Sequence, residues 1–335
     1  MSEIESGVVV LAWTKISGRQ VDLADQFSGE AKIVFPDRVT NNTIVRYLLS
    51  AVQTIFFLRR GSYRVLIVTA PPIETALICA VFRRRGKPLI LDSHPGAFGL
   101  MGNARSRKMQ FLHRWLWRRA ALVLVTTDEL VKTVNAGGGH ALVFHEPFAR
   151  WQELEEPSIP TDFSGSTHPI RALVPFIFAR DEPVGVLFSV ARHLGDIEFR
   201  VTGNPDRLPD DTAIPPNVTL LGFLGQEQYL SEMKKSDIVI VLSTERESVM
   251  RTAYEAIRMG RPLVVSKSEA TLKYFPHALH AENTETSIIA ALKGVMEEDN
   301  DLSLQRRAAA IETSRKITNI QTETLRTRVT ELSHP

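Results

Sequence analysis

Short, mainly apolar runs alternate along the chain with stretches of helical period. The runs lie at 8–13, 31–35, 63–69, 89–91, 122–126, 141–144, 170–178, 198–202, 218–222, 238–242 and 263–265. Their β-branched content and lack of polar alternation predict strands buried on both faces, as in a parallel sheet. Between them the apolar spacing predicts helices, among them one from about 21, one over 43–58, one ending at 82 behind Pro71 and Pro72, one to about 194 and one over 226–235. Strand and helix in strict alternation predict an α/β fold. In helix 43–58, Tyr47, Leu48, Val52, Ile55 and Phe56 are expected on the apolar, inward side. The triple glycine 137–139 follows a helix, where a C-cap belongs, and is not a phosphate loop.

The stretch 238–265 is the most informative. An apolar strand is followed by the polar turn 243–248. Val249, Ala253, Ala256, Ile257 and Gly260 then recur at helical spacing, and Pro262 opens a second strand. The turn falls at the carboxyl end of a strand, where open α/β sheets bind ligands. Glu247 and Glu255 stand there with seven residues between them. Two helical turns span roughly 12 Å, enough for both carboxylates to face one elongated ligand. A nucleotide-sugar has that shape, with its diphosphate at the helix N-terminus. Two ordinary solvated glutamates are the other reading of the pair.

The 335 residues suffice for two domains. A Pro-rich, charged, linker-like change of character follows residue 150, giving a first domain over 1–150, a linker over 151–169, a second domain over 170–302 and terminal helices over 303–335 that cross back to the first domain. The single cysteine, Cys79, excludes an internal disulfide and sits in an apolar helix pattern. The acidic start MSEIESG has no leader character, and no apolar run reaches the roughly 20 residues of a spanning helix. A cytoplasmic protein is expected.

Charge is unevenly spread. Residues 1–150 hold 20 Lys+Arg against 11 Asp+Glu, and residues 151–335 hold 20 against 27. The first half is thus +9 and the second −7. Arg59, Arg60, Arg83, Arg84, Arg85, Arg107 and Lys108 dominate the basic clusters, followed by the aromatic helix with Trp115 and Trp117. Such a stretch suits an anionic membrane surface. A helix burying Phe111, Leu112, Trp115 and Leu116 with its arginines in water accounts for it too. No recognition helix or aromatic sheet motif supports nucleic acid.

The pattern Glu247-x7-Glu255-Ala256, then Gly260, Pro262, Leu263, Val264 and Val265, resembles the donor-binding signature of GT-B glycosyltransferases, notably family 4. FRVTGN at 199–204, NVTLLGFL at 217–224, Tyr229 and KKSDIVIVL at 234–242 occur in the family's order, and LILDSHPGAF at 89–98 resembles the Asp-x-His stretch of a bacterial cell-envelope branch. The resemblance implies two Rossmann-like parallel-sheet domains facing an interdomain cleft, and sugar transfer from a nucleotide diphosphate-sugar to a glycan, lipid-linked or small-molecule acceptor. It implies catalytic roles for His94 and Glu247. Glu255, Arg251, Ser248, Val249, Met250, Thr252, Arg180, Gly203, Asn204, Phe223, Leu224, Gly18 and Arg19 become donor-binding candidates. Asp92 is expected to fix the loop or hydrogen-bond His94.

The chain departs from the family at the diphosphate clamp, where Phe178 and Pro183 replace the usual Arg and Lys. Arg180, Arg251 and Arg19 are the candidate substitutes. Arg251 at a helix start opposes the dipole, so it either meets a bound anion or is an ordinary exposed surface arginine. No Asp-x-Asp motif is present, so transfer without a metal or other cofactor is expected, with retention of configuration. A catalytically silent nucleotide- or membrane-binding partner and a nucleotide-sugar epimerase are the alternatives, the latter lacking an identifiable acid/base pair.

Overall fold

A computed structural model describes residues 7–14, 18–35, 42–100, 108–145 and 169–333. Arg107 and the linker residues 151–168 lie outside them. The chain divides into two compact units, Met1–Glu153 with Thr318–Pro335, and Leu154–Ile317. Two parallel sheets of six strands account for them.

In unit 1 the strands are β1 (Val8–Ala12), β2 (Glu30–Ile33), β3 (Val65–Ala70), β4 (Leu89–Ser93), β5 (Leu122–Val125) and β6 (Ala141–Val143), ordered β2-β1-β3-β4-β5-β6. The period of two sends alternate residues to opposite faces. Val9, Leu11, Leu66, Val68, Leu89 and Leu91 meet α2 (Thr43–Arg60), α3 (Ile73–Phe82), α4 (Gln110–Arg119) and α5 (Asp128–Ala136). Val8, Val10, Val65, Ile67, Ile90 and Leu124 meet Leu23 and Ala24 of α1 (Gly18–Asp25). Leu325 and Val329 complete that second layer. Each such side chain contributes roughly 1.5–3 kcal/mol by leaving water, which is why the strands carry no polar face.

In unit 2 the strands are β7 (Ile170–Val174), β8 (Ile197–Thr202), β9 (Val218–Gly222), β10 (Ile238–Val241), β11 (Leu263–Ser266) and β12 (Leu279–Ala281), ordered β12-β11-β10-β7-β8-β9. This is the Rossmann order. Its helices are α6 (Val184–His193), α7 (Gln226–Lys235), α8 (Arg251–Arg258), α9 (Glu269–Tyr274) and α10 (Glu285–Glu297). Helix α11 (Asn300–Ser333) is one continuous helix rather than several.

Strand order reverses between β1 and β3 in unit 1 and between β7 and β10 in unit 2, so each sheet has one switch point with a crevice at its carboxyl end. Two expectations are corrected. The strand from 170 stops at Val174, because Pro175 cannot donate to the ladder. Helix α2 turns part of its expected inner side outward, although Tyr47 does pack on the core. Ser50, Thr54 and Leu58 face inward, while Leu48, Val52 and Phe56 face water. The Thr54 hydroxyl accepts the Trp13 indole N–H at 2.9 Å, and Tyr47 meets Trp13 edge-on, which fixes this rotation.

Candidate functional site

At the switch point of unit 2, the loops that follow β7 and β10 are tied together. Ser243 Oγ donates to Asp181 Oδ2 at 2.7 Å, and the Thr244 amide donates to the Asp181 carbonyl at 2.7 Å. The network continues sideways. The Ser243 amide donates to Ser266 Oγ, Ser266 Oγ donates to Asn283 Oδ1 at 2.6 Å, and Asn283 Nδ2 donates to the Ser243 carbonyl. These small polar groups link the carboxyl ends of β7, β10, β11 and β12 and leave the crevice floor rigid. Asp181, Ser243, Ser266 and Asn283 escaped the sequence reading. A serine directly after each apolar run was the available signal.

The loop after β7 is braced from within. The Glu182 carboxylate accepts the Ile177 and Ala179 amides at 3.0 Å, and burial pushes its pKa up against those hydrogen bonds. Phe178 takes a left-handed conformation with φ of 57°, a strained state for a bulky side chain. Gly203 lies against this loop at φ of 109°, where a Cβ would come within 2.8 Å of the Phe176 carbonyl oxygen. Only glycine fits there.

A cavity of about 280 Å³ opens beside the loop. Gly203, Phe223, Leu224, Arg251, Thr252 and Glu255 line it, together with Tyr229. Six of the sequence candidates, from the ends of two strands and from α8, are thus brought to one wall. Glu255 is buried, and Arg251 Nε donates to its Oε1 at 2.7 Å. The anion that Arg251 meets is therefore its own neighbour one turn on. Burial, then the Glu255 charge, pushes the Tyr229 phenol pKa well up.

Ser248 and Met250 line a second cavity of about 210 Å³ with Ser243, Arg246, Lys267 and Asn283. Glu247 and Val249 line neither, and Asn204 caps the short turn Pro205–Arg207 instead. Helix α8 begins only at Arg251, so the helical spacing assumed for Glu247 does not apply. Residues 247–250 form the turn ahead of it, and Met250 at the N-cap position makes no side-chain capping hydrogen bond. Arg180 is exposed and its guanidinium makes no ion pair among the described residues.

At the switch point of unit 1, Arg19 and Asp92 form a buried two-point pair, Nε to Oδ2 at 3.0 Å and Nη2 to Oδ1 at 2.7 Å. Nη1 of Arg19 donates to the His145 carbonyl, and the guanidinium lies on the Phe144 ring. Gly18 starts α1 and places it there. With all three nitrogens engaged inside the unit, Arg19 is committed to Asp92 rather than turned to a phosphate. Burial alone raises the Asp92 pKa; Arg19 outweighs it and holds the carboxyl below its usual range. His94 Nε2 stands 3.8 Å from Asp92 Oδ2, and its side chain is about one-third exposed at 38%. At that distance the two are a charge contact and not the hydrogen bond expected between them.

Among the described residues, no group of three or more His, Cys, Asp or Glu side chains is placed to hold a metal ion. No described helix is long and apolar enough to cross a membrane.

Two family models match the chain, "Glycosyl transferase 4-like domain" over residues 29–143 and "Glycosyl transferases group 1" over residues 185–298. No curated protein sequence matches it. Among solved structures, Anabaena HepE, determined with UDP and glucose, superposes with a TM-score of 0.69 at 14% identity, over 96% of this chain and 99% of that one. Sucrose-phosphate synthase from Thermosynechococcus elongatus gives 0.70 at 10% identity, over 97% and 99%. A UDP-forming trehalose-phosphate synthase from Burkholderia xenovorans gives 0.69 at 10% identity, over 98% and 100%. At these identities the likeness is one of fold.

Proposed function

This chain belongs to the family-4-like GT-B glycosyltransferases, and on that premise we propose that it moves a sugar from a nucleotide diphosphate-sugar to an acceptor hydroxyl, without a metal and with retention of configuration. The observation that carries the reading is the gathering of Gly203, Phe223, Leu224, Thr252 and the buried Glu255 around one cavity at the switch point of unit 2. Backbone at Phe223 and Leu224 suits a base edge, and the Glu255 carboxylate suits ribose hydroxyls. The diphosphate is assigned to the start of α8, with the exposed Arg180 as its cation.

In the transfer, the bond from the sugar C1 to the β-phosphate oxygen breaks and a bond from C1 to the acceptor oxygen forms. The acceptor proton passes to the departing β-phosphate oxygen, and the negative charge that grows on that phosphate before it arrives is stabilised most by fixed amides and a cation. Glu247 is assigned to the sugar hydroxyls. His94, with Asp92 beside it, is assigned to the acceptor side in unit 1. A glycan, lipid-linked or small hydrophilic acceptor fits that role, and the basic residues Arg59, Arg60, Arg83, Arg84, Arg85 and Lys108 favour a cytoplasmic protein working at an anionic membrane surface. UDP, bound by HepE, is the first nucleotide to test.

Incubation with a panel of UDP-, GDP- and ADP-sugars is expected to release the nucleoside diphosphate from one of them. Glu255→Gln is expected to weaken nucleotide binding about 10- to 100-fold by titration calorimetry, the worth of hydrogen bonds to a charged acceptor. Failure of every nucleotide to bind would overturn the reading. Tight binding with no release in the presence of a range of acceptors would favour the silent partner.

A further inference from the structure

We propose that the outward face of α2 is a membrane-docking surface, seated on a bilayer that contains anionic lipid. The inference extends the membrane setting proposed above and needs no part of the sugar-transfer chemistry. Helix α2 is apolar on two sides. Its inward side carries Leu58, Tyr47, Ala51 and Phe57 beside Ser50 and Thr54, while Ile44, Leu48, Val52 and Phe56 stand one turn apart on the outside, exposed to 73, 63, 65 and 55%. Val45 is exposed beside them. A run of apolar residues along about three helical turns, roughly 18 Å by helical rise, marks a contact surface rather than scattered exposure.

Charge selects the occupant. The helix, TIVRYLLSAVQTIFFLRR, has no acidic residue and ends in Arg59 and Arg60. Arg60 lies over the Phe56 ring at 4.1 Å and Arg59 over Phe82 of the neighbouring α3 at 6.0 Å, so each guanidinium sits on apolar surface with its charge at the rim. Val81 on α3 is also exposed, and the exposed Arg85 follows in the same stretch of chain. On α4, Phe111 is exposed beside Arg114. Apolar side chains rimmed by arginines match a bilayer interface of acyl chains beneath anionic headgroups. A second copy of this chain would bring the same arginines and no acid from α2 to pair with them. Trp117 of α4, part of the aromatic stretch that sequence set at such a surface, is buried and stacked on Phe98 and takes no part in it.

The test is co-sedimentation of the full chain with vesicles of phosphatidylcholine alone and of phosphatidylcholine with phosphatidylglycerol. Binding is expected only with the anionic lipid, and is expected to weaken as salt is raised. The double variant Leu48→Glu/Val52→Glu changes only exposed positions and is expected to lower partitioning at least tenfold, as is Arg59→Glu/Arg60→Glu. Leu272→Glu, an exposed apolar site in unit 2, is expected to leave it unchanged. A dye on Leu48→Cys is expected to shift to the blue on anionic vesicles; Cys79 is fully buried and does not compete for it. Equal binding to neutral vesicles, no response to either double variant, or a dimer that the Leu48→Glu/Val52→Glu change splits without any vesicle binding would each overturn the proposal. Nucleotide binding in unit 2 is expected to be the same in all these variants, so loss of one activity does not imply loss of the other.

Discussion

Each unit places one Arg–carboxylate pair at its switch point, and the two pairs are built differently. Arg19 and Asp92 are 73 residues apart in sequence, both buried, and joined at two points. Arg251 and Glu255 are one helical turn apart, with Arg251 partly exposed on a cavity wall. The first pair exists only when the unit is folded, and Arg19 is further held there by the His145 carbonyl. The second forms within α8 and can be exchanged for a ligand. The same two functional groups therefore make a brace in one place and an adjustable contact in the other, decided by solvent access and by the chain distance between them.

Breaking the brace should cost the most. Arg19→Met is expected to destabilise unit 1 by about 3–5 kcal/mol, because Asp92 would be left as an uncompensated buried charge. Denaturant unfolding followed by Trp fluorescence measures it. Arg19→Met/Asp92→Leu is expected to recover much of the loss, and failure to recover would show that the pair is not the source.

Acid should weaken unit 1 next. His113 is buried, its Nε2 without a hydrogen-bond partner, and burial lowers its pKa from 6.5 to about 4. The unfolded chain takes up this proton first, so stability is present above pH 6.5 and is lost as pH falls from there toward 4. The loss is about 3 kcal/mol by linkage. Thermal melts across pH 4–7 should show it, and His113→Leu should flatten the curve. The Asp92 contribution runs the same way but later. Its folded-state pKa is depressed, so its stabilisation is present above the unfolded value of 3.8 and is lost only below it.

The adjustable contact should matter least to stability. Arg251→Met is expected to cost less than about 1 kcal/mol, the range of partly exposed pairs within one helix. Melting temperature checks it. A cost like that of Arg19→Met would erase the distinction between the two pairs.

Where neighbours in sequence are neighbours in space, the chain could be read. The run 238–242 became β10, and the Gly260-x-Pro262 stop closed α8. Gly203, Phe223, Leu224, Thr252 and Glu255 were found as a set through their likeness to a family signature, since no local rule joins two separate strand ends and a helix. What needed long-range contacts stayed hidden. Nothing near Arg19 in sequence reveals Asp92, and nothing near Ser243 reveals Asp181. Helix α2 was misread because its apolar stripe was assumed to face the sheet, whereas Trp13 captures the side that carries Thr54. Helical period locates a stripe without saying what covers it.

The closing helix has a bearing on how the molecule is made. Leu325 and Val329 finish a core whose other members lie at residues 8–144. While a ribosome is still producing unit 2, the first sheet therefore waits with one flank bare, open to chaperones and to clumping. Stop codons or fusions that remove residues 318–333 would strike the opening half of the protein rather than the half just synthesised.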